Sequence, residues 1–304
     1  MSVRRAGAAM ALALVAVLSA CAPAGGGDRP LIVVSTNILG DVVGELVGDQ
    51  AEVLTLMKPN ADPHSFEISA QEAARVRSAD LVVSNGLGLE EGLQQYLDAA
   101  AADGVATFIA GDTIDVLAYA EGDAEGTPDS HFWTDPARMI DVVDALEPAL
   151  ADIDGMDAAD LAARTEAYRA ELVQLDAEMT EAFAAIPDER RALVTNHHVF
   201  GYLADRFDFS VIGAVIPGGT TLAAPSASDL ADLVDAVEQT GVPAIFAESS
   251  SPDRLVQALA SEADVHVDVV ELFTESLTEP DGGAPDYLTM MRVNTQRIAG
   301  GLSP

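Results

Sequence analysis

One stretch limits the possible folds more than any other: residues 157–186. Its larger side chains, Leu161, Thr165, Tyr168, Leu172, Leu175, Met179, Phe183 and Ile186, recur in steps of three and four. That spacing lines one face of a helix, with acids, arginines and alanines on the other sides. Asp157 can cap its start, with Asp160 three residues on. Pro187 ends it, because proline lacks a backbone N–H and crowds the preceding turn. At 1.5 Å per residue such a helix runs roughly 45 Å, the length of a small domain. On both sides of it, short apolar runs alternate with helical segments, the rhythm of parallel-sheet domains. The expected fold is therefore α/β: two lobes, 30–152 and 188–304, each a small parallel sheet flanked by helices, joined by one long linking helix within 153–187. A helix of this kind is a spacer, so the chemistry is expected in the cleft between the lobes.

The beginning of the chain reads as a leader. Arg4 and Arg5 precede an apolar run, residues 8–18, that is too short for an ordinary membrane span. Residues 1–20 are expected to be an export signal. The tetrad Leu18-Ser19-Ala20-Cys21 looks like a bacterial lipobox, with Cys21 as the lipidated first residue of the mature protein. Residues 21–29, with Gly25, Gly26 and Gly27, then form the anchor and a flexible tether. Cys21 is the chain's single cysteine, which excludes an intramolecular disulfide and leaves the fold to its apolar core. The net charge of −35, from 15 basic and 50 acidic residues, repels nucleic acid and anionic membrane surfaces and attracts cations.

Short buried-strand patterns are expected at 31–35, 51–57, 81–84, 105–109, 192–195, 209–215, 244–247 and 266–270. Asn85-Gly86-Leu87-Gly88 reads as a turn and not a dinucleotide loop, since the third glycine and the later acid are missing. In open α/β sheets, binding groups gather beyond the carboxyl ends of the strands. His64, His131, His197 and Glu275 each lie beyond such an end, two in each lobe, although His131 does so across the long acidic segment 111–130. Three imidazoles and a carboxylate suit a borderline divalent cation such as zinc. Glu248 closes a strand on the same side and rivals Glu275; it can alternatively accept hydrogen bonds from the next helix's amides. His198 is adjacent to His197 and so faces another way, and His266 begins a strand with no loop partner. Phe132 and Trp133 serve either as core or as an aromatic wall that keeps water from a ligand.

Four blocks give a more specific reading: Asp62-Pro63-His64; His131-Phe132-Trp133-Thr134-Asp135-Pro136; His197-His198-Val199-Phe200-Gly201-Tyr202; and Glu275-Ser276-Leu277 followed by Tyr287-Leu288-Thr289-Met290-Met291-Arg292-Val293-Asn294. In this order, and with the single long helix, residues 30–302 resemble the cluster A-I metal-binding proteins of ABC importers for zinc and manganese. The resemblance implies that His64, His131 and His197 are ligands and that Glu275, where family members usually carry aspartate, is the fourth. It also implies a monomeric, extracytoplasmic, membrane-anchored receptor that is not an enzyme and delivers Zn2+ or Mn2+ to a permease and its ATPase. Histidine as the third ligand leans towards zinc. Two other classes remain to be separated at this point: a secreted zinc hydrolase, which needs an open coordination position and a general base, and an adhesin with a vestigial site.

Overall fold

The computed structural model describes residues 29–303, apart from 121–123, 217, 224, 251–253 and 264. The leader, Cys21 and the tether up to residue 28 lie outside the described residues. The N-terminal lobe contains β1 (Leu31–Val34), α1 (Asn37–Val47), β2 (Glu52–Thr55), α2 (Ala70–Val76), β3 (Leu81–Ser84), α3 (Gln94–Ala102), β4 (Thr107–Ile109) and α4 (Pro136–Ala151). After the long α5 (Ala158–Ala184) come β5 (Ala192–Thr195), α6 (Gly201–Phe207), β6 (Ser210–Ala214), α7 (Ala227–Thr240), β7 (Ala244–Glu248), α8 (Arg254–Glu262), β8 (Asp268–Leu272) and α9 (Tyr287–Leu302).

Both sheets have four parallel strands and the same order, β2-β1-β3-β4 and β6-β5-β7-β8. Parallel strands present their carboxyl ends on one side, and the order reverses between β1 and β3 and between β5 and β7. The loops leaving those ends are where a ligand crevice forms. Central strands β1, β3, β5 and β7 are buried throughout, as expected when helices cover both faces.

The linking helix is capped as the sequence suggests: the Asp157 carboxylate accepts from Ala159 N and Asp160 N. Leu161, Thr165, Tyr168, Leu172, Leu175, Met179 and Phe183 form its buried face, which packs on α1, α4 and α9. At its far end Phe183 meets Phe207 and Phe209 edge-on, with ring centroids 5.2 and 5.1 Å apart. One apolar cluster runs from Ile32 and Val43 in the first lobe through Leu172 to Phe246 and Leu302 in the second. The lobes therefore share a core, and the helix braces them against wide opening.

Strands β2 and β4 are shorter than the expected runs 51–57 and 105–109, and two further elements start later than the sequence reading has them. The strand expected at 266–270 is β8, Asp268–Leu272, paired from Ala244↔Asp268 to Glu248↔Leu272. β8 is an edge strand, so Glu271 can face solvent within it. Residues 90–101 read as a helix in the sequence, but α3 begins only at Gln94, and Glu90 is turned inward. Its Oε1 accepts from Ser35 Oγ and Asn85 N, both at 2.6 Å, and its Oε2 accepts from Gly86 N at 3.1 Å.

A half-buried acid ties α1 to α9: Asp41 Oδ2 accepts from Tyr287 N at 2.9 Å. Burial pushes the Asp41 carboxyl up to about 6, against the pull of the Tyr287 N–H and with help from Asp286 and Glu45. A carboxyl raised above its unfolded value of about 3.9 binds more protons in the folded state. Its stabilising contribution is complete below about pH 4 and is lost as pH rises through about 6. Asp41→Asn keeps the acceptor oxygen and should gain stability relative to wild type between pH 4.5 and 7 in urea unfolding. A difference between the two proteins that does not vary with pH would remove Asp41 as the source.

Candidate metal centre

Four turns at the strand ends carry the candidate ligands, and each turn is fixed by its own hydrogen bonds. His64 follows β2 in a turn closed by Asp62, whose Oδ1 accepts from His64 N at 2.8 Å and whose Oδ2 accepts from Ser65 Oγ at 3.0 Å. Asp129 Oδ1 accepts from His131 N at 2.9 Å and lies 2.8 Å from His131 Nδ1, so a carboxylate sets the orientation of that ring. His197 comes two residues after β5, with its carbonyl accepting from Thr195 Oγ1 at 2.6 Å. Glu275 comes three residues after β8, in a loop held from the other lobe. Asn37 Oδ1 accepts from Leu277 N at 3.0 Å, Asn37 Nδ2 donates to Ser276 Oγ at 2.9 Å, and Trp133 Nε1 donates to Thr274 O at 2.8 Å.

These turns bring His64, His131, His197 and Glu275 together, one ligand atom from each lying within 4.8 Å of the others. Glu275 Oε1 is 2.9 Å from His64 Nε2, 3.2 Å from His131 Nε2 and 3.1 Å from His197 Nε2, and the first two nitrogens are 3.4 Å apart. A tetrahedron of bonds near 2.0–2.1 Å has edges of roughly 3.3 Å. Four of the six separations thus stand close to tetrahedral spacing, and all six are within 4.8 Å. All four side chains are buried, at 0–2 % exposure, and Glu275 Oε2 and His64 Nδ1 have no hydrogen-bond partner. An orphaned carboxylate oxygen at this depth costs free energy unless a cation, or the proton of a neighbouring acid such as Glu248, completes it.

Charge is arranged to match. Burial alone would raise the Glu275 carboxyl, but His197, His131 and His64 outweigh it and hold the group well below the usual range. Burial works against a charge on His131, yet Asp129 and Glu275 overcome it and lift the imidazole to about 9. Burial lowers His197, against the pull of the Glu275 carboxylate. Metal binding needs deprotonated imidazoles, so a cation entering here competes with the proton on His131.

Glu248 stands behind His197. Its Oε2 is 3.5 Å from His197 Nδ1, the nitrogen turned away from the cluster, and its Oε1 accepts from Ser250 Oγ. Burial, then the neighbouring Glu275 charge, pushes its carboxyl well above the ordinary value. His266 is 90 % exposed and 3.4 Å from Asp268, remote from the cluster in its environment. Trp133 is buried with its ring centroid 5.2 Å from that of His131, so it forms part of the wall around the site. Asp129, Tyr119, Asn37 and Ser276 were not singled out from the sequence. For Asp129 a local signal existed, a carboxylate two residues before a candidate ligand. For Ser276 the signal was its place beside Glu275 in a quoted block; for Asn37 there was none.

The family model of ZnuA, described as zinc-uptake complex component A, periplasmic, matches residues 32–301. The chain belongs to this family. The solved periplasmic zinc-binding protein TroA from Treponema pallidum superposes with a TM-score of 0.84 at 28 % identity, covering 91 % of this chain and all of that one. Among curated relatives, the iron-binding protein YfeA of Yersinia pestis is 26 % identical over 270 residues, 89 % of this chain and 85 % of that protein. The manganese-binding lipoprotein MntA of Halalkalibacterium halodurans is 27 % identical over 277 residues, 91 % and 90 % of the two chains. Membership of the ZnuA family makes this an extracytoplasmic transport protein, not an enzyme.

His197→Ala should weaken zinc binding far more than His198→Ala. His197 is fully buried with Nε2 on Glu275, whereas His198 is half-buried and faces an adjoining cleft lined by Leu117, Phe200 and Val211. Competitive titration of the two variants reads the difference, and equal losses would overturn the assignment.

Proposed function

We propose that this chain is the metal receptor of an ABC importer, with His64, His131, His197 and Glu275 enclosing one divalent cation between the lobes, zinc ahead of manganese. The observation that carries the reading is the convergence of these four ligand atoms, two from each lobe, within 4.8 Å of one another in a fully buried pocket. Three imidazole nitrogens and one carboxylate at tetrahedral spacing suit zinc; manganese prefers more oxygen ligands in an octahedral shell. The names of the relatives span zinc, manganese and iron, so the donor set and not the kinship carries the preference for zinc.

Binding then follows from the geometry. The cation replaces the His131 proton, is neutralised in part by Glu275, and draws the two lobes' ligands onto one centre. Asp129 keeps the His131 ring aimed, and Trp133 and Phe132 exclude water from one side. The shared core limits lobe motion, so loading and release run through small tilts and loop shifts and not a wide hinge. A hydrolase would need a vacant coordination position with a free base beside it. Here Glu248 lies at the rear of His197, and the four ligand side chains enclose the centre.

The permease and its ATPase are the partners this reading implies, with the receptor held at the membrane through lipidated Cys21 and the tether 22–29. Cys21→Ser should release soluble protein that still binds zinc. Membrane fractionation with the variant still in the membrane pellet would sink the lipid anchor. Zinc binding itself is tested by elemental analysis and by competition between zinc and manganese for the apo-protein. The expected result is one ion per chain, with zinc held more tightly.

A further inference from the structure

One loop of the C-terminal lobe, between β6 and α7, reaches across to the N-terminal lobe through three consecutive residues. Gly219 O accepts from Tyr119 Oη at 3.4 Å, and the same phenol oxygen is 3.1 Å from His131 Nδ1. Thr220 Oγ1 donates to Glu91 Oε1 at 3.1 Å. Thr221 Oγ1 donates to Asp62 Oδ2 at 2.6 Å, and Asp62 in turn holds the backbone of His64 through its other oxygen at 2.8 Å. Two of these three contacts therefore end on the groups that orient His131 and His64.

The approach is close enough to need glycine. A Cβ on Gly219 would lie 2.2 Å from both the Tyr119 hydroxyl oxygen and its ring carbon, well inside contact distance. Gly219, Thr220 and Thr221 are only half-buried, and the next residue, Leu222, is 56 % exposed. None of the three belongs to an apolar core cluster. Bonds of this kind contribute little to folding but fix where the loops of the opposite lobe stand.

We propose that residues 219–221 form a latch whose members are positioning residues for the metal site, holding His64 through Asp62 and His131 through Tyr119, so that opening of the latch sets how fast a bound cation leaves. The inference rests on His64 and His131 being ligands. Two ligands belong to each lobe, so an ion escapes only when the two pairs separate. The latch spans that same division and must break in the same event. With the latch released, the Asp62 and Tyr119 side chains lose their distant partner; the turn that carries His64 loosens, and the His131 ring is left to Asp129 alone. Outer-shell contacts to ligating histidines typically alter affinity by about 10–100-fold, and the latch should act on the dissociation rate by a similar factor.

The test uses the full chain loaded with Zn2+ and mixed rapidly with excess chromophoric chelator, so that zinc release is read directly. Gly219→Ala and Thr221→Val should release zinc about 10–100-fold faster than wild type. Thr221→Ser, which keeps the hydroxyl, should release it at the wild-type rate. Tyr119→Phe removes the shared phenol oxygen and should also speed release. Thermal melts of the metal-free variants should match metal-free wild type, which a merely structural role would not allow. Release rates equal to wild type in Gly219→Ala and Thr221→Val would overturn the latch. So would a fall in metal-free melting temperature that parallels the faster release. Wild-type protein that takes up no zinc would instead remove the ligand assignment on which the latch depends, and the same experiment shows it before any variant is compared.

Discussion

Glu275→Ala should cost more zinc affinity than any other single substitution in the centre, more than about 100-fold, and leave a protein that still folds. Oxygen Oε1 of this residue touches the Nε2 atoms of all three histidines, and no other described side chain has that position. Removing it deletes a ligand and the charge that balances the cation. Loss of an outer-shell contact already costs about 10–100-fold, so loss of the shell's carboxylate should exceed that range. The metal-free fold should survive, because Glu275 is buried without a hydrogen-bond partner for Oε2, and its loop is held by Asn37, Trp133 and Asn294. Glu248→Ala is the informative comparison. That carboxyl sits behind His197, and its loss should weaken binding less than the loss of Glu275. Competitive titration with a chelator of known affinity ranks the two. A larger loss for Glu248→Ala would exchange their roles.

Saturating zinc should raise the melting temperature by about 4–6 °C at 100 times the dissociation constant. A ligand that binds only the folded state adds about 2.7 kcal/mol at that excess. With an unfolding entropy near 2.1 cal/mol/K per residue, a chain of this size shifts by roughly 2 °C for each kcal/mol. Each further tenfold excess adds about 1.4 kcal/mol. The transition should stay single with and without metal, since one apolar cluster runs through both lobes and α5. Differential scanning calorimetry with zinc and with chelator reads both features. Coincident melts would mean that the four groups form no working site, and two separate transitions would mean that the lobes do not share a cooperative core.

What the sequence revealed and what it hid have different physical origins. The linking helix was legible because its buried residues recur with the helical period over 27 residues and a capping aspartate marks its start. The two sheets were legible as alternating apolar runs and helices, and the ligand-bearing turns as polar residues beyond strand ends. The last strand was misplaced by two residues because an edge strand tolerates an acid in its interior, as Glu271 shows, and an apolar run then ends before the strand does. The groups around the ligands were hidden for another reason. Asn37 meets Ser276 across 239 positions of chain, and Trp133 meets Thr274 across 141. No local spacing encodes such pairs. Tyr119 and Asp129 lie in the acidic segment 111–130, where no period marks one residue apart from the next. There, the structure supplies what the sequence lacks: Tyr119 joining the His131 ring to Gly219, beside the nearer Asp129.

The most direct test of the central claim is a crystal structure of the zinc-loaded protein with the ion located by its anomalous signal. The expected result is one ion in the cleft, bound by the Nε2 atoms of His64, His131 and His197 and by the Glu275 carboxylate, with bonds of about 2.0–2.2 Å. Glu248 should remain at the rear of His197. An ion held by Glu248 with Glu275 turned away, or a loaded protein whose zinc lies outside the cleft, would contradict the account.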